Sequence, residues 1–549
     1  MKYLNIDDIY LLVKPCSELG KKEKMHFEMF TSHSFENAKS YYNKLSFLLT
    51  KIINFPELIS HISSTLSHFE DIRALVTSND DRVFEMHELH EIKHFLYFYD
   101  NLISQLRNIY STDDLINSSE KSLCIIPGRN TNHLFELLDI DKQNSPTFYL
   151  SKNYSIKLKT LKDEMLKLQA KKQKITEKYI LLVSSKLGIT KFEEMVTISR
   201  KNQSLLNKLL DSNYFFISDE NFYNITLKLK KSKEIYTIDQ EIEIKNQEIE
   251  KESQYIRKHL TEKIMAFSGE LLQALNEVGY FDLLFAKAVF AMNFKCVIPK
   301  IKEKKESFCQ KHNFFEASNI YDILLYNEFS KNNLKYQHIN VKLYNKVNII
   351  TGSNMGGKTT ILKTIGQIAM MVKLGLPVPA ESASSIIFDN IFFLGHSTIN
   401  DRHDLSSFGN EVHTLQNIIN TDGQNLFLLD EFGRGTNPVE GQALFHSVMR
   451  FFSKQTKTFV VSVTHYNFPK NVANTSHFQM IGLKKEHLNK IQESLEPSLF
   501  NKLKQINKYM NYQPIEVSEN EDVPMSAINI AELLGLEKEI ICTAIDNLK

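Results

Sequence analysis

Residues Ile349–Thr360 read IITGSNMGGKTT, and the rest of the chain is organised around this stretch. The run Val347–Ile350 has the composition of a buried β-strand, the loop Gly352–Lys358 follows it, and Thr359 opens an amphipathic helix. This is G-x-x-x-x-G-K-[ST] in the strand–loop–helix context that the pattern requires. Glycines let successive backbone N–H groups turn toward one phosphate, and the helix N-terminus adds partial positive charge. Gly352, Ser353, Asn354, Met355, Gly356, Gly357, Lys358, Thr359 and Thr360 are therefore the expected nucleotide-binding residues. In that geometry Lys358 reaches the β- and γ-phosphates and the Thr359 hydroxyl ligates Mg²⁺, so the expected cofactors are ATP and Mg²⁺.

Two downstream strands supply what a phosphate cradle lacks. Asn425–Glu431 reads NLFLLDE, an apolar strand ending in adjacent carboxylates. Asp430 is placed to hold Mg²⁺ directly or through water, and Glu431 to orient and deprotonate the attacking water. A third strand, Thr458–Val463, ends in Thr464–His465. A histidine there lies on the ligand side of a parallel sheet, where it can sense the γ-phosphate. Between these strands Asp404–Glu411 reads DLSSFGNE before an apolar helix. Serines at a helix start are first of all N-caps. The same geometry makes an anion site, and in ATPases that sandwich nucleotide between two subunits such a helix start reaches the neighbour's γ-phosphate. Ser406, Ser407, Phe408 and Glu411 form this expected trans signature, with the choice between the two serines left open.

At 549 residues the chain is long enough for three or four domains. Its 42% hydrophobic and 24% charged residues are ordinary for a soluble globular protein. A net charge of +1 gives no global field for nucleic acid, so any DNA contact has to come from a local basic patch. Cys16, Cys124, Cys296, Cys309 and Cys542 are scattered without C-x-x-C spacing, which argues against zinc or a disulfide framework and fits a cytoplasmic protein. The N-terminus lacks a signal-peptide pattern and no apolar run is long enough to span a membrane.

Upstream of the P-loop the periodicity is helical. Residues from about 24 to 120 carry apolar side chains at three- and four-residue steps; there His87, His90 and His94 share a face, which reads as a helix surface before it reads as a metal site. From Leu158 the seam Leu158, Leu161, Met165, Leu168, Ile175, Tyr179 and Leu182 predicts a long coiled-coil-like helix ending at Gly188. A second begins near Ile235, with Ile238, Ile242, Ile249 and Ile256 on one stripe, so the two are expected to run out and back as an antiparallel arm. Strand-like Tyr214–Ile217 and Phe222–Leu229 lie between them, followed by Lys228, Lys230, Lys231 and Lys233, read as a solvated face or as a DNA-contact patch. The apolar Phe281–Phe294 predicts a helix returning to the core. The expected architecture is an α-helical core with long coiled-coil lever arms, followed by an α/β P-loop ATPase domain of ABC type. The limits read from the sequence are a helical core over 1–150, lever arms over 151–275 with a clamp-like tip at about 189–233, a return of the core with a linker over 276–312, and the ATPase domain over 313–549.

Together these motifs resemble the MutS family. TGSNMGGKTT is similar to that family's TGPNMGGKST, with Ser353 for proline and Thr359 for serine. DLSSFGNE resembles its S-T-F-x-x-E signature, LLDEFGRGTNPVEG its LLDEIGRGTSTxDG, and VTHY at Val463–Tyr466 its ATHY. INIAELLGLEKEIICTAIDNL resembles the family's terminal helices, which pack two subunits together. The resemblance implies a homodimer through the ATPase domains and terminal helices. It also implies ATP hydrolysis that drives a clamp on duplex or branched DNA, read through backbone and shape, in mismatch repair or recombination. A short form is expected, without the mismatch-recognition and connector domains of repair members and without a nuclease domain. The alternative on the same scaffold is an ATP-dependent reactivating chaperone whose client is a cobalamin-dependent aminomutase.

Overall fold

The computed structural model describes residues 2–77, 82–109, 128–129, 131–189, 192–303, 314–353, 356–395, 407–469, 472–483, 508–517 and 526–546. The chain divides into two compact units, one of residues 1–69, 105–127 and 276–549 and the other of residues 70–104 and 128–275. Residues 1–69 thus share a unit with residues 276–549. Their first long element, α1 (Phe35–Asn54), buries Tyr41, Tyr42, Leu45, Leu48, Leu49 and Ile52 on one stripe, as its three–four spacing dictates.

The second unit begins with most of α2 (Met86–Ile109). His90 Nδ1 accepts the Phe148 N–H at 3.1 Å and the His94 ring packs on Phe98, while His87 is exposed, so this is a partly exposed helix face. Among the described residues no cluster of His, Cys, Asp and Glu is arranged to hold a metal. Lys93 on the same helix is buried with Asp139 at 2.8 Å.

Two helices then dominate, α3 (Ile156–Leu187) and, further on, α5 (Lys233–Ala266). Ser155 caps the first by accepting the Leu158 N–H, and Ser232 caps the second by accepting that of Ile235. Lys157–Glu252 at 2.9 Å, Glu164–Lys245 at 3.0 Å and Lys172–Asp239 at 2.8 Å pair rising with falling numbers, so the helices are antiparallel. The expected seam holds at Leu158, Leu161 and Met165 but not at Leu182, which is exposed; Ile180 and Val183 are buried instead. A 3.6-residue helix drifts against a 3.5-residue repeat, and by the last turns a different face points inward. That face closes a small core with Ile198, Leu209, Phe215, Ile225, Leu227 and Leu229. These come from β1 (Met195–Ser199), α4 (Gln203–Asp211), β2 (Phe215–Glu220) and β3 (Asn224–Leu229), an antiparallel sheet in the order β1-β3-β2.

Helix α6 (Ser268–Phe294) leads into the first unit. Its run from Phe281 to Ala291 is apolar nearly all round and buried. Strands β4 (Lys300–Ile301), β5 (Phe315–Ile320), β6 (Ile339–Leu343) and β8 (Ser382–Ser385) form a small sheet in the order β4-β8-β5-β6. The main sheet has six strands: β7 (Val347–Thr351), β9 (Asn390–Gly395), β10 (Asn425–Asp430), β11 (Thr458–Thr464), β12 (Thr475–Leu483) and β13 (Met510–Glu516), in the order β13-β12-β7-β11-β10-β9. All neighbours are parallel except the pair β12–β13. Helix α7 (Lys358–Lys373) follows β7; α8 (Ser407–Ile418) and α9 (Pro438–Lys454) pack with Phe427, Leu429 and Val460 on the sheet. Two short helices, α10 (Ser526–Leu534) and α11 (Lys538–Asp546), come last.

The N-terminal segment joins this unit because α7 needs partners at its C-terminal end, where carbonyl oxygens are left without intrahelical donors. The Phe30 N–H donates to Lys373 O at 2.8 Å, Tyr42 Oη to Val372 O at 3.0 Å, and Lys287 Nζ, from α6, to Leu374 O at 2.8 Å. Lys287 is fully buried, and burial pushes its ammonium well below the usual lysine range. Its charge sits 3.6 Å from the Phe27 ring centroid and complements the negative end of the α7 dipole. No helix among the described residues is long and apolar enough to cross a membrane.

Candidate functional site

The P-loop strand β7 lies between β11 and β12, with β10 beside β11, so the C-terminal ends of β7, β10 and β11 open on one side of the sheet. Gly352 has φ 147° and a Cβ there would stand 2.8 Å from Met480 Cβ; Gly357 has φ 77° and its Cβ would meet the Tyr512 ring at 2.9 Å. Only glycine fits both positions, which is the physical content of the loop's spacing. Lys358, on the first turn of α7, is almost fully buried and turns its ammonium back into the loop, donating to Gly352 O at 2.7 Å and Ser353 O at 3.1 Å. Burial lowers its pKa to about 8, against the pull of Glu431 and Asp430 in the other direction.

The two acids at the end of β10 part company. The Thr359 hydroxyl donates to Asp430 Oδ1 at 3.0 Å, and burial pushes the Asp430 carboxyl above its ordinary range. A desolvated carboxylate beside a hydroxyl is an all-oxygen donor set of the kind hard cations take, so these two residues fit Mg²⁺. Glu431 has φ 56°, a left-handed conformation that is uncommon for a residue with a side chain. Its N–H donates to Val463 O at 2.9 Å, which fixes the turn against β11. Strain of this kind clusters at sites where geometry matters more than local stability. Glu431 Oε1 stands 2.8 Å from His465 Nε2 and 3.8 Å from Lys358 Nζ, while Oε2 is held by the Arg434 guanidinium. Burial raises the Glu431 carboxyl, but the charges of His465, Arg434 and Lys358 outweigh it and hold the group below its ordinary value. His465 is pushed down by burial and by the Lys358 charge. Its Nε2 lies 2.9 Å from Lys358 Nζ as well. A neutral imidazole either accepts there from the ammonium or donates to the carboxylate, so the ring arbitrates between the two groups.

The loop after Glu431 is tied to its surroundings by two groups. Glu411, buried on the first turns of α8, accepts the Gly433 N–H at 3.1 Å, and Tyr466 Oη donates to Gly433 O at 3.0 Å. Residues 348–538 match the family model described as MutS domain V. Similarity to the MutS family extends beyond that domain, over most of the chain. It is 25% identical over 486 residues to Endonuclease MutS2 of Caldanaerobacter subterraneus subsp. tengcongensis, an alignment covering 86% of this chain and 57% of that protein. Endonuclease MutS2 of Staphylococcus epidermidis is 26% identical over 461 residues, 82% of this chain and 55% of that protein. That of Fusobacterium nucleatum subsp. nucleatum is 32% identical over 235 residues, 40% of this chain and 27% of that protein. The chain thus spans a little over half the length of the first two relatives, and less of the third.

Within this candidate site Gly352, Ser353, Gly356, Gly357, Lys358, Thr359, Thr360, Asp430, Glu431 and His465 lie at the loop and the adjoining strand ends. Asn354, Met355 and Ser406 lie outside the described residues, and Ser407 opens α8. Phe408 is half-buried on the first turn of that helix. Glu411, grouped with the trans signature on its motif, turns inward to its own chain's Gly433. The motifs include Arg434 and Tyr466 but gave them no role, because hydrogen bonds across a turn have no spacing signal. Tyr512 went unread because it comes from β13, whose pairing with β12 is not visible in the sequence. Of the lysines read as DNA contacts, Lys230 Nζ donates to Asn213 Oδ1 and Lys231 pairs with Asp239. Lys228 is half-buried in β3, and Lys233 is exposed as the first residue of α5.

Proposed function

We propose that this chain hydrolyses ATP as a dimer and uses the cycle to act on DNA. The hydrolytic reading is carried by one observation: at three adjacent strand ends Lys358, Glu431 and His465 lie within 3.8 Å of one another, and Thr359 lies 3.0 Å from Asp430. Thr359 and Asp430 would hold Mg²⁺, which would supply charge neutralisation at the phosphates. Lys358 exchanges the carbonyls of Gly352 and Ser353 for phosphate oxygens. Glu431 takes the proton of the attacking water at a carboxylate oxygen released by His465 or Arg434. His465, neutral near pH 7, then donates its Nε2–H to a γ-phosphoryl oxygen. Ser406 or Ser407, with Phe408, completes the partner subunit's site across a dimer held by the ATPase domains and α10–α11.

The DNA reading draws on the relatives, which are named endonucleases, and on the long antiparallel pair that carries a small sheet. Its expected form is contact with backbone and shape on duplex or branched DNA. The purified chain is expected to hydrolyse ATP only with Mg²⁺. It is also expected to bind DNA with affinity that falls steeply between low and moderate salt. Mixing Lys358→Ala subunits with Ser406→Ala or Ser407→Ala subunits is expected to restore one competent site per heterodimer; no recovery for either serine contradicts the composite site. Absence of DNA binding at any salt removes the DNA half of the reading and leaves the hydrolytic half standing.

A further inference from the structure

The small sheet has two unlike ends. Lys228, Lys230, Lys231 and Lys233 lie where β3 runs into α5, and Lys231 is already paired with Asp239. At the opposite end, Arg200 and Lys201 follow β1 and the turn Asn221–Tyr223 joins β2 to β3. Ser199 pairs with Asn224 across the sheet, so these two turns are neighbours. Phe222 is 91% exposed and Tyr223 76%, with ring centroids 5.8 Å apart in an edge-on arrangement.

The backbone under these bare rings is fixed. Asn221 Oδ1 accepts the N–H groups of Tyr223 at 3.0 Å and Asn224 at 2.8 Å, and the Asn221 N–H donates to Asn224 O at 2.9 Å. The Arg200 N–H donates to Tyr223 O and its Nε to Asn221 O, both at 2.9 Å, while its guanidinium neutralises Glu220 at 2.8 Å. Single exposed apolar residues are ordinary surface. Two adjacent rings on a turn that Arg200 holds in place, next to an exposed Lys201, have the make-up of a base-stacking platform: a π-face for each base and a cation for a phosphate beside it.

We propose that Phe222 and Tyr223 stack on unpaired nucleobases, with the exposed Lys201 against a flanking phosphate. The tip then selects DNA where the strands are open over uninterrupted duplex. This rests on the DNA reading above and names the feature of the DNA that the arm recognises. A protein groove is the other class of occupant for two bare rings; the exposed Lys201 beside them favours the polyanion.

The test compares a fully paired duplex with the same duplex interrupted by a single-stranded thymidine gap. The wild-type chain is expected to prefer the gapped DNA, and Phe222→Ala/Tyr223→Ala to lose about 5- to 150-fold per stacked base on it while duplex binding is unchanged. The chain has no tryptophan, so Phe222→Trp introduces a unique fluorophore whose emission should be quenched by gapped DNA and not by duplex. Equal wild-type affinity for the two DNAs, or an indole emission unmoved by the gap, overturns this inference alone and leaves the rings to a protein partner. Failure of the wild-type chain to bind either DNA removes the DNA reading and this inference with it.

Discussion

The candidate phosphate site and the far turn of the arm sheet differ in what their side chains do. At the site Lys358, Glu431 and His465 are engaged with one another, Asp430 with Thr359, and Lys358 also with the carbonyls of its own loop. At the turn Asn221 and Arg200 bind backbone atoms while Phe222 and Tyr223 stand in solvent. A site whose groups satisfy each other in advance needs little reorganisation when substrate enters. A surface whose rings are bare has its energetic partner outside the chain. Substitutions at the first region should therefore disturb stability and turnover together, and at the second only binding.

The sharpest way to break that contrast is at the far end of the P-loop helix. Lys287→Ala removes a buried stem and the donor to Leu374 O, and is expected to cost about 2–5 kcal/mol, read as a fall in the denaturant midpoint. An unchanged midpoint would show that α7 does not depend on this cap. Lys358→Ala is expected to weaken nucleotide binding roughly 100-fold by titration calorimetry, because charged hydrogen bonds to the phosphates are lost. Glu411→Ala leaves the buried Gly433 N–H without its acceptor, at a cost of about 1–3 kcal/mol, and should lower kcat as the turn carrying Glu431 loosens. A drop in stability with kcat intact would confine Glu411 to a purely structural part.

The pH dependence follows from Lys358, whose pKa of about 8 is below the ordinary 10.5. Phosphate binding needs the charged form, so nucleotide affinity should fall as pH rises through about 8. For the nucleotide-free chain the sign is opposite. The unfolded state holds more protons between about 8 and 10.5, so the contribution of this lysine to stability grows with pH across that window. Affinity flat to pH 10 would contradict the desolvated ammonium. The smallest effect is expected at the arm turn, where Phe222→Ala/Tyr223→Ala should move the unfolding free energy by less than about 0.5 kcal/mol.

The phosphate site was legible because its chemistry is compressed into contiguous stretches. IITGSNMGGKTT, NLFLLDE and VVSVTHY each combine a strand with the residues at its end, and the structure places those ends on β7, β10 and β11. The strand order was not legible, since pairing of Val463 with Ile350 and Asp430 is long-range and leaves no local pattern. The N-terminal helices read as a separate core because nothing in their periodicity says that Phe30 and Tyr42 cap the α7 carbonyls. In the arm the two helices and the glycine that ends the first were visible, whereas the drift of the seam from Leu182 to Val183 follows from helix geometry and needs the partner surface to be seen. Strand β1 and helix α4 are short, and their apolar residues fit either period. The lysines were conspicuous by composition; the two rings at the other end of the sheet stand out only once their exposure is known.

Single-turnover hydrolysis of Mg²⁺-ATP by the Glu431→Gln chain tests the central claim most directly. The amide keeps the shape of the side chain and removes its basicity, so ATP binding should persist while phosphate release slows by roughly 10²- to 10⁴-fold. Turnover at the wild-type rate with ATP still bound would contradict the assignment of Glu431 as the base, and with it the account of the site.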